Sequence, residues 1–234
     1  MQLNYELIAF DLDGTLLDSV PDLTLAAQKT LAAIGFPSVT EEQVRDYVGN
    51  GADVLIARAL SQSMDIDLSI EESIKKEARK LFDHYYALGG HALSHLYPGV
   101  RETLSKLHEL GLKLALVTNK PSEFVPEILK QHQIEHFFID CLGGDAFTEK
   151  KPNPIGLHWL MNQHNIIPEK MLMVGDSKND IMAAKNAGCL SFGLTYGYNH
   201  GEPISSSNPD FVADNISDLI DVVTKCTKLK QNLF

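Results

Sequence analysis

The sequence has few cysteines and no long apolar segment. Its three cysteines, Cys141, Cys189 and Cys226, are widely spaced in a chain of 234 residues, and such a set indicates neither a disulfide framework nor a zinc site. No apolar run approaches the ~20 residues that span a bilayer. Glu6 and Asp11 interrupt the early apolar run that a signal peptide would keep. We therefore expect a reduced, cytoplasmic setting and no membrane partner.

Basic residues are also scarce. The chain has 20 lysines and arginines against 31 aspartates and glutamates, which gives a formal net charge of -11 at pH 7. Nucleic-acid binders usually carry a basic stripe along one face, whereas IKKEARK at 74–80 is only a short helix face of mixed charge. We expect no nucleic-acid partner. If the substrate is an anion, a local cation has to attract it against the overall negative field.

Strand-like and helix-like segments alternate from about residue 99 onward. The predicted strands are an early run at 5–10 and then 113–118, 137–142, 171–175 and 189–194, with a short edge strand at 210–213. Helical patterns lie between them at 100–110, about 122–131, 155–164 and 180–187, and one more follows the last strand. Such alternation predicts parallel strands joined by helical crossovers. The predicted fold class is α/β, with a doubly wound, Rossmann-like parallel sheet.

Residues 20–90 break this alternation, because every pattern in them is helical. Apolar residues recur there at helical spacing. Two capping-box patterns, Thr40 with Gln43 and Ser69 with Glu72, predict helix starts. Helices inserted after the first strand indicate an all-helical cap on the sheet. The predicted division is a helical cap domain at 17–94 and an α/β core at 1–16 and 95–234.

The first strand ends in the segment AFDLDGTLLDS at 9–19, which places two carboxylates after a buried run. In extended backbone Asp11 and Asp13 project from one side while Leu12 points the other way. Gly14 then allows a sharp turn. Aspartate and glycine are also common in solvated turns, so this segment alone leaves both interpretations open.

Three further strand ends carry polar residues. Thr118 and Asn119 follow the second strand, Lys151 stands in the loop after the third, and Asp176 and Asp180 follow the fourth. In an open parallel sheet, ligands bind beyond the carboxyl ends of the strands. Each of these residues alone could be a turn or helix-cap residue. Their coincidence at the strand ends predicts a site.

The residue types in this predicted site indicate phosphoryl chemistry. Crowded carboxylates cannot all stay ionised without a compensating cation, and hard oxygen ligands with open positions suit Mg²⁺. A lysine beside acidic groups and a metal is the expected clamp for a phosphoryl group, so Lys151 and Mg²⁺ would supply the local positive potential. One carboxylate can then act as nucleophile and its neighbour as general acid and base. A P-loop motif is absent, and an EF-hand starting at Asp11 would need glycine where Leu16 stands.

The segments DLDGTLLDS, VTNK, KKPNP and GDSKND, in this order, closely resemble the haloacid dehalogenase-like hydrolase superfamily, specifically its phosphatases with a helical cap. The resemblance extends from residue 5 to about residue 200. Dehalogenating members lack an acid at the position of Asp13, and transport ATPases carry lysine where Leu12 stands. The resemblance therefore implies a phosphatase.

The resemblance also implies roles for the residues at the strand ends. Asp11 would attack phosphorus and form an aspartyl-phosphate, while Asp13 would protonate the leaving alkoxide and then activate water. Thr118 and Asn119 would hold phosphoryl oxygens. Lys151 would offset the charge of the nucleophile and the phosphate.

A Mg²⁺ shell is implied by the same resemblance. Asp176 would ligate the metal together with Asp11 and the backbone carbonyl of Asp13. Asp180 would orient or join that shell.

Two other segments, YVGNGADVLIARAL at 47–60 and GLTYGYNHGEPI at 193–204, look like the phosphoglycolate phosphatase branch of the superfamily. This likeness implies a Mg²⁺-dependent phosphatase for a small phosphate ester, with 2-phosphoglycolate as the expected substrate. Two alternatives stay open. One is a phosphatase for another sugar or nucleoside monophosphate, and the other is a catalytically idle phosphate-binding regulator. The oligomeric state, monomer or small homo-oligomer, is also open.

The carboxylate of phosphoglycolate needs a partner of its own, and the cap is the expected source. The turn formed by Gly49, Asn50 and Gly51 can present free backbone N–H groups, and the N-terminus of the helix after it favours an anion. We therefore expect this turn to bind the carboxylate. Arg58 is a second candidate, although a helix arginine more often lies on a solvated face.

Overall fold

The structure of the chain, a computed structural model, describes residues 3–224. Eight strands lie within these residues: β1 (Leu7–Phe10), β2 (Leu17–Asp18), β3 (His95–Leu96), β4 (Lys113–Val117), β5 (Phe138–Leu142), β6 (Met171–Gly175), β7 (Leu190–Leu194) and β8 (Phe211–Ala213). Six of them form one sheet in the order β5-β4-β1-β6-β7-β8, and every neighbouring pair is parallel. The predicted α/β class with a parallel sheet is confirmed.

Nine α-helices accompany the strands in the described part of the chain. They are α1 (Val20–Ala33), α2 (Glu41–Tyr47), α3 (Ala52–Ser61), α4 (Glu72–Leu88), α5 (Val100–Glu109), α6 (Val125–Gln131), α7 (Ile155–His164), α8 (Lys178–Ala187) and α9 (Asp218–Thr224). None of the helices within residues 3–224 is long and apolar enough to cross a bilayer. Cys226 lies outside the described residues.

The sheet is buried on both faces, which explains the continuous apolar run of β1. Ile8 and Phe10 belong to a hydrophobic cluster on one face, whereas Leu7 and Ala9 belong to a second cluster on the other face. All four side chains are fully buried, as expected for a central parallel strand covered by helices on both sides. The alternation of side chains along a strand therefore divides one short segment between two cores.

The chain order of the strands determines where polar residues can gather. From β1 the chain adds β4 and then β5 on one side, and it then crosses to add β6, β7 and β8 on the other side. β1 is hydrogen-bonded to both β4 and β6. The order reverses beside β1, and a crevice forms at such a switch point beyond the carboxyl ends of the strands.

Helices α1 to α4, here called the cap, are inserted between β1 and β4. The predicted capping box of Thr40 and Gln43 is present at the start of α2. The predicted box at Ser69 is wrong, because α4 begins after Glu71 and the Ser69 hydroxyl instead donates to Asp67. β2 precedes the cap in the chain and β3 follows it, and these two strands pair with each other in an antiparallel ribbon. The boundaries at 17 and 94 stay a prediction.

Candidate active site

The polar residues predicted from the strand ends lie around the switch point. Asp11 directly follows β1, Thr118 directly follows β4, and Asp176 directly follows β6. Lys151 precedes α7, and Asp180 lies in the first turn of α8. The structure brings four of these five side chains together in one buried cluster, which we call the carboxylate cluster: Asp11, Lys151, Asp176 and Asp180.

Three carboxylates and one ammonium group make up this cluster. One oxygen from each of Asp11, Asp176 and Asp180 lies within 4.8 Å of the others. The Nζ atom of Lys151 is 2.8 Å from Asp11 Oδ1 and 2.6 Å from Asp180 Oδ1. All four residues are buried. With three acidic groups against one base, the protein alone does not balance the charge.

Burial and crowding raise the pKa values of two carboxylates in the cluster, Asp11 and Asp176. Burial raises the pKa of Asp11 from 3.8 to about 6; Lys151 lowers it in part, and Asp180 raises it further. Burial also raises the pKa of Asp176 well above its ordinary value, and the charges of Asp180 and Asp11 add to the effect. A missing positive charge is the simplest physical description of such a site.

Asp180 anchors the lysine of the cluster. Its Oδ1 accepts a hydrogen bond from Lys151 Nζ, and its Oδ2 accepts two from Ser177, from the backbone N at 3.0 Å and from Oγ at 2.8 Å. A Cβ atom on Gly175 would lie 2.2 Å from Asp180 Cγ, so a glycine there is required for this approach. Ser177 thus fixes the Asp180 carboxylate through Oδ2, and the carboxylate holds Lys151 through Oδ1.

Asp176 is held by the loops that follow β1 and β7. Its Oδ1 accepts from the Thr15 hydroxyl at 2.6 Å, and its Oδ2 accepts from the backbone N–H of Tyr198 at 2.6 Å. Cβ atoms added to Gly14 and Gly197 would lie 2.3 Å and 2.4 Å from Asp176 Oδ2. The close packing of two glycines fixes the direction of this carboxylate.

The donor set fits Mg²⁺. Asp11 Oδ1 is fully buried, and among the described residues its one close polar partner is the ammonium of Lys151, 2.8 Å away. A carboxylate oxygen can accept more than one such contact, and a hard cation beside carboxylate oxygens would use the remaining capacity. Asp11 and Asp176 are the carboxylates best placed for this role. The Asp13 carboxylate is outside the cluster.

Asp13 is paired with a lysine that the strand-end pattern did not single out. Lys120 Nζ donates to both carboxylate oxygens of Asp13, at 3.0 Å and 3.2 Å, and to the hydroxyl of Tyr86 at 2.7 Å. The ammonium also lies 4.6 Å from the centre of the Tyr86 ring. Burial alone would lower the pKa of Lys120, but Asp13 and Tyr86 together raise it above its ordinary value. The lysine is therefore charged.

The sequence contained a signal for this pair. Lys120 follows Asn119 in the segment VTNK, at the same strand end as the predicted phosphoryl ligands. Tyr86 is on α4, in a helix whose apolar stripe indicates only packing. Its approach to Lys120 depends on how the cap sits on the sheet, and helix periodicity does not encode that.

The Asn119 side chain is used in hydrogen bonds within the protein, to Gly49 and to the backbone of Lys151. Its Nδ2 donates to the carbonyl of Gly49 at 2.9 Å and to that of Lys151 at 3.0 Å, and its Oδ1 accepts from the Lys151 backbone N–H at 3.0 Å. The side-chain oxygen of Thr118 accepts from the backbone N–H of Lys120 at 3.2 Å. A phosphoryl contact from Asn119 would have to come from its backbone.

A small cavity of about 40 Å³ lies between the cap and the sheet. A single water needs ~10–15 Å³, so the space suits a few atoms. The polar part of its lining comes from the strand ends and the apolar part largely from the cap: Asp11, Asp13, Thr118, Asn119 and Lys120 on one side, and Leu23, Val48, Leu55, Phe82 and Tyr86 on the other. Lys120 is the one cation among the described residues that line it.

The predicted carboxylate turn lies only partly at this cavity. Gly49 and Gly51 line it, but the Gly49 carbonyl points to the core, where it accepts from Asn119 and Asn179. The side-chain oxygen of Asn50 accepts from Arg58 Nη1 at 3.0 Å. Arg58 thus holds the turn together. Carboxylate binding by the turn stays a prediction.

Comparisons with known proteins agree with this geometry. The model of the family described as haloacid dehalogenase-like hydrolase matches residues 8–194. A phosphoglycolate phosphatase of Vibrio parahaemolyticus is 68% identical over 222 residues, 95% of this chain and 97% of that protein. Phosphoglycolate phosphatase 1 of Pseudomonas aeruginosa is 45% identical over 223 residues, 95% of this chain and 81% of that protein. A crystal structure of a predicted phosphoglycolate phosphatase from Haemophilus somnus has a TM-score of 0.88 at 41% identity and covers 94% of this chain and 98% of that chain.

Proposed function

The chain belongs to the haloacid dehalogenase-like hydrolase family, and we propose that it is a Mg²⁺-dependent phosphatase that hydrolyses 2-phosphoglycolate to glycolate and phosphate. The observation that carries the proposal is the Asp11 carboxylate, buried at the end of β1 in a cluster with Asp176 and Asp180. Lys151 lies beside it as a fixed positive charge. The relatives named above support the choice of substrate.

In the first half of the proposed reaction, a carboxylate oxygen of Asp11 forms a bond to phosphorus while the bond from phosphorus to the ester oxygen breaks. The attacking carboxylate has to be ionised, and a pKa of about 6 leaves Asp11 mostly ionised at pH 7. Asp13, in its protonated form, turns from Lys120 to the ester oxygen and gives its proton to the departing alkoxide of glycolate. The product is an aspartyl-phosphate on Asp11 and free glycolate.

In the second half, Asp13 takes a proton from water while the water oxygen attacks phosphorus. The bond between phosphorus and the Asp11 oxygen breaks, so the carboxylate is regenerated and inorganic phosphate leaves. Lys151, held by Asp180, offsets the negative charge that gathers on the phosphoryl oxygens in both halves. Thr118 and the backbone of Asn119 are the proposed partners of those oxygens.

Mg²⁺, when bound, would neutralise part of the phosphoryl charge and orient the group for attack. We propose that Asp11 and Asp176 hold it with the backbone carbonyl of Asp13. Asp180 is proposed to act on this shell through Lys151, because its Oδ1 accepts a hydrogen bond from the Lys151 ammonium.

The proposal includes three broader features. Residues 17–94 form a cap domain over a core of 1–16 and 95–234. The partner is a small phosphate ester, and the setting is the cytoplasm, which the sparse cysteines favour.

Phosphate release from 2-phosphoglycolate tests the proposal directly. The purified protein should turn the ester over with Mg²⁺ and stop when EDTA is added. Asp11→Asn should lower kcat by about 10⁴-fold or more, because loss of a nucleophile removes the covalent route. A panel of sugar and nucleoside monophosphates should show lower kcat/KM than 2-phosphoglycolate. If a member of the panel has a higher kcat/KM, that ester replaces 2-phosphoglycolate as the proposed substrate. If no ester is turned over, the protein is better described as the catalytically idle phosphate-binding regulator.

A further inference from the structure

We propose that Lys120 selects the substrate by forming an ion pair with the carboxylate of 2-phosphoglycolate. This inference rests on the proposed function and adds to it the group that recognises the part of the substrate beyond the phosphoryl group. The resemblance to known phosphatases placed no role on this lysine, and the turn at 49–51 was the expected partner.

The burial of Lys120 needs an explanation. Its side chain is 3% exposed, and an ammonium removed from water is costly unless it is paired. Lys151 has two acidic partners, Asp11 and Asp180. Lys120 has one within residues 3–224, Asp13, and the proposed reaction requires that residue to turn to the ester oxygen. A second anion beside Lys120 would keep the ammonium paired during that step.

The position of Lys120 suits the shape of the substrate. In phosphoglycolate the carboxyl carbon is two bonds from the ester oxygen, so the two groups lie close together. A general acid must approach the ester oxygen to within ~2.6–3.2 Å. Lys120 Nζ is 3.0 Å and 3.2 Å from the oxygens of Asp13. The cation therefore lies one hydrogen-bond length from the acid, where a carboxylate next to the ester oxygen would arrive.

Other cations near the cavity have different partners. Arg58 donates to the Tyr47 carbonyl at 3.0 Å and to Asn50, which fixes it within the cap. Lys150 is partly exposed and lies 3.7 Å from the Asp53 carboxylate. Lys120, in contrast to Arg58 and Lys150, both lines the cavity and contacts Asp13, a residue of the proposed reaction.

Tyr86 extends the same recognition to the cap. Its hydroxyl accepts from Lys120, and its ring stacks on Phe82 with 5.7 Å between ring centres. The tyrosine thus fixes the ammonium from the side opposite the sheet. With an apolar wall behind the cation, water does not compete well for the ion pair, and charge-assisted hydrogen bonds are stronger in such a setting. We expect short acidic esters to be preferred over neutral ones.

The test compares two esters of the same chain length on full-length protein. The measured quantity is the ratio of kcat/KM for 2-phosphoglycolate to kcat/KM for ethyl phosphate, which lacks the carboxylate. Lys120→Met should lower this ratio about 100-fold, the size expected for loss of a buried charged hydrogen bond. Lys150→Met is the matched control, and it should change the ratio by less than about 3-fold because that side chain faces Asp53 at the surface.

Two further variants keep the test independent of folding. Lys120→Arg retains the charge and should recover part of the ratio, which a purely structural role would not produce. Tyr86→Phe removes one partner of the ammonium and should lower the ratio by about 10-fold. Thermal unfolding of each variant shows whether it is folded. If Lys120→Met does not fold, the ratios measured for Lys120→Arg and Tyr86→Phe test the role of Lys120.

The outcomes separate this inference from the proposed function. If the wild type prefers phosphoglycolate but Lys120→Met lowers both esters equally, the role of Lys120 is wrong and the proposed substrate stands. If the wild type shows no preference for phosphoglycolate over ethyl phosphate, the proposed substrate itself is wrong. A ratio unchanged in both Lys120→Met and Tyr86→Phe would also overturn the inference.

Discussion

Replacing Asp11 by asparagine should stabilise the metal-free protein even as it removes the nucleophile. Asp11 has a pKa of about 6 in the fold against an ordinary value of 3.8, with burial as the main cause. At about 1.4 kcal/mol for each tenfold change in the ionisation constant, ionised Asp11 costs the folded state about 3 kcal/mol. Asparagine has nearly the same shape and no charge. Lys151 keeps Asp180 as a partner in the variant, so its ammonium is not left unpaired.

The sign of the effect determines its pH window. Between about pH 4 and pH 6 the folded state binds more protons than the unfolded chain at this residue, so its contribution to stability is lost as the pH rises. Below about pH 3 the carboxyl group is mostly protonated in both states. The advantage of Asp11→Asn should therefore be near zero at about pH 3 and reach about 3 kcal/mol at pH 7.

Urea unfolding in EDTA at several pH values measures this difference. For a chain of this length about 3 kcal/mol corresponds to roughly 6–12 °C in Tm, so thermal unfolding also detects it. Mg²⁺ should reduce the gap, because a ligand that binds the folded wild type stabilises it. Asp145→Asn is the control, since hydrogen bonds from Ser122 lower the pKa of that mostly exposed carboxylate. No gain for Asp11→Asn at pH 7, or a gain that does not depend on pH, would refute the reasoning.

Two other predictions concern Asp13 and the loop at Gly197. Asp13→Asn should lower kcat by ~10²–10⁴-fold on an alkyl phosphate and less on an activated aryl phosphate, whose leaving group needs little protonation; equal losses in a steady-state assay would contradict its role as the acid. Gly197→Ala would place a Cβ 2.4 Å from Asp176 Oδ2 and should raise the Mg²⁺ concentration for half-maximal activity by about 10-fold or more. Gly201→Ala, at a similar positive φ but with no atom of the described residues within 4 Å of the added Cβ, should leave that Mg²⁺ concentration within about 2-fold. An equal rise in both variants would argue against a role for Gly197 in positioning Asp176.

The fold was predictable because its determinants are local. The alternation of strand and helix patterns indicated a parallel sheet, and the strand ends marked Asp11, Thr118 and Asp176 as neighbours. The ends of elements were less reliable. Ser69 and Glu72 have the spacing of a capping box, yet the N-cap of α4 is Glu71, two residues later, and the Ser69 hydroxyl donates to Asp67 instead.

The parts of the site that the sequence did not reveal depend on contacts between distant segments. Lys120 and Tyr86 are 34 residues apart and meet because α4 lies over the end of β4. The direction of the Gly49 carbonyl is likewise set by two core amides, from Asn119 and Asn179. Neither arrangement leaves a periodic pattern in the chain, since each depends on how the cap rests on the sheet.

Asn119 explains how the cap and the catalytic groups can act together. The same side-chain amide donates to the Gly49 carbonyl of the cap and to the backbone carbonyl of Lys151. A hydrogen bond to the cap is therefore made by the residue that also fixes the loop of the phosphoryl-binding lysine. If the cap moves to admit substrate, the amide loses one acceptor while its two bonds to Lys151 remain. The loop of Lys151 would then stay in place while the cavity opens on the side of Lys120, so that substrate meets a preformed phosphoryl site and the cap completes only the part that recognises its carboxylate.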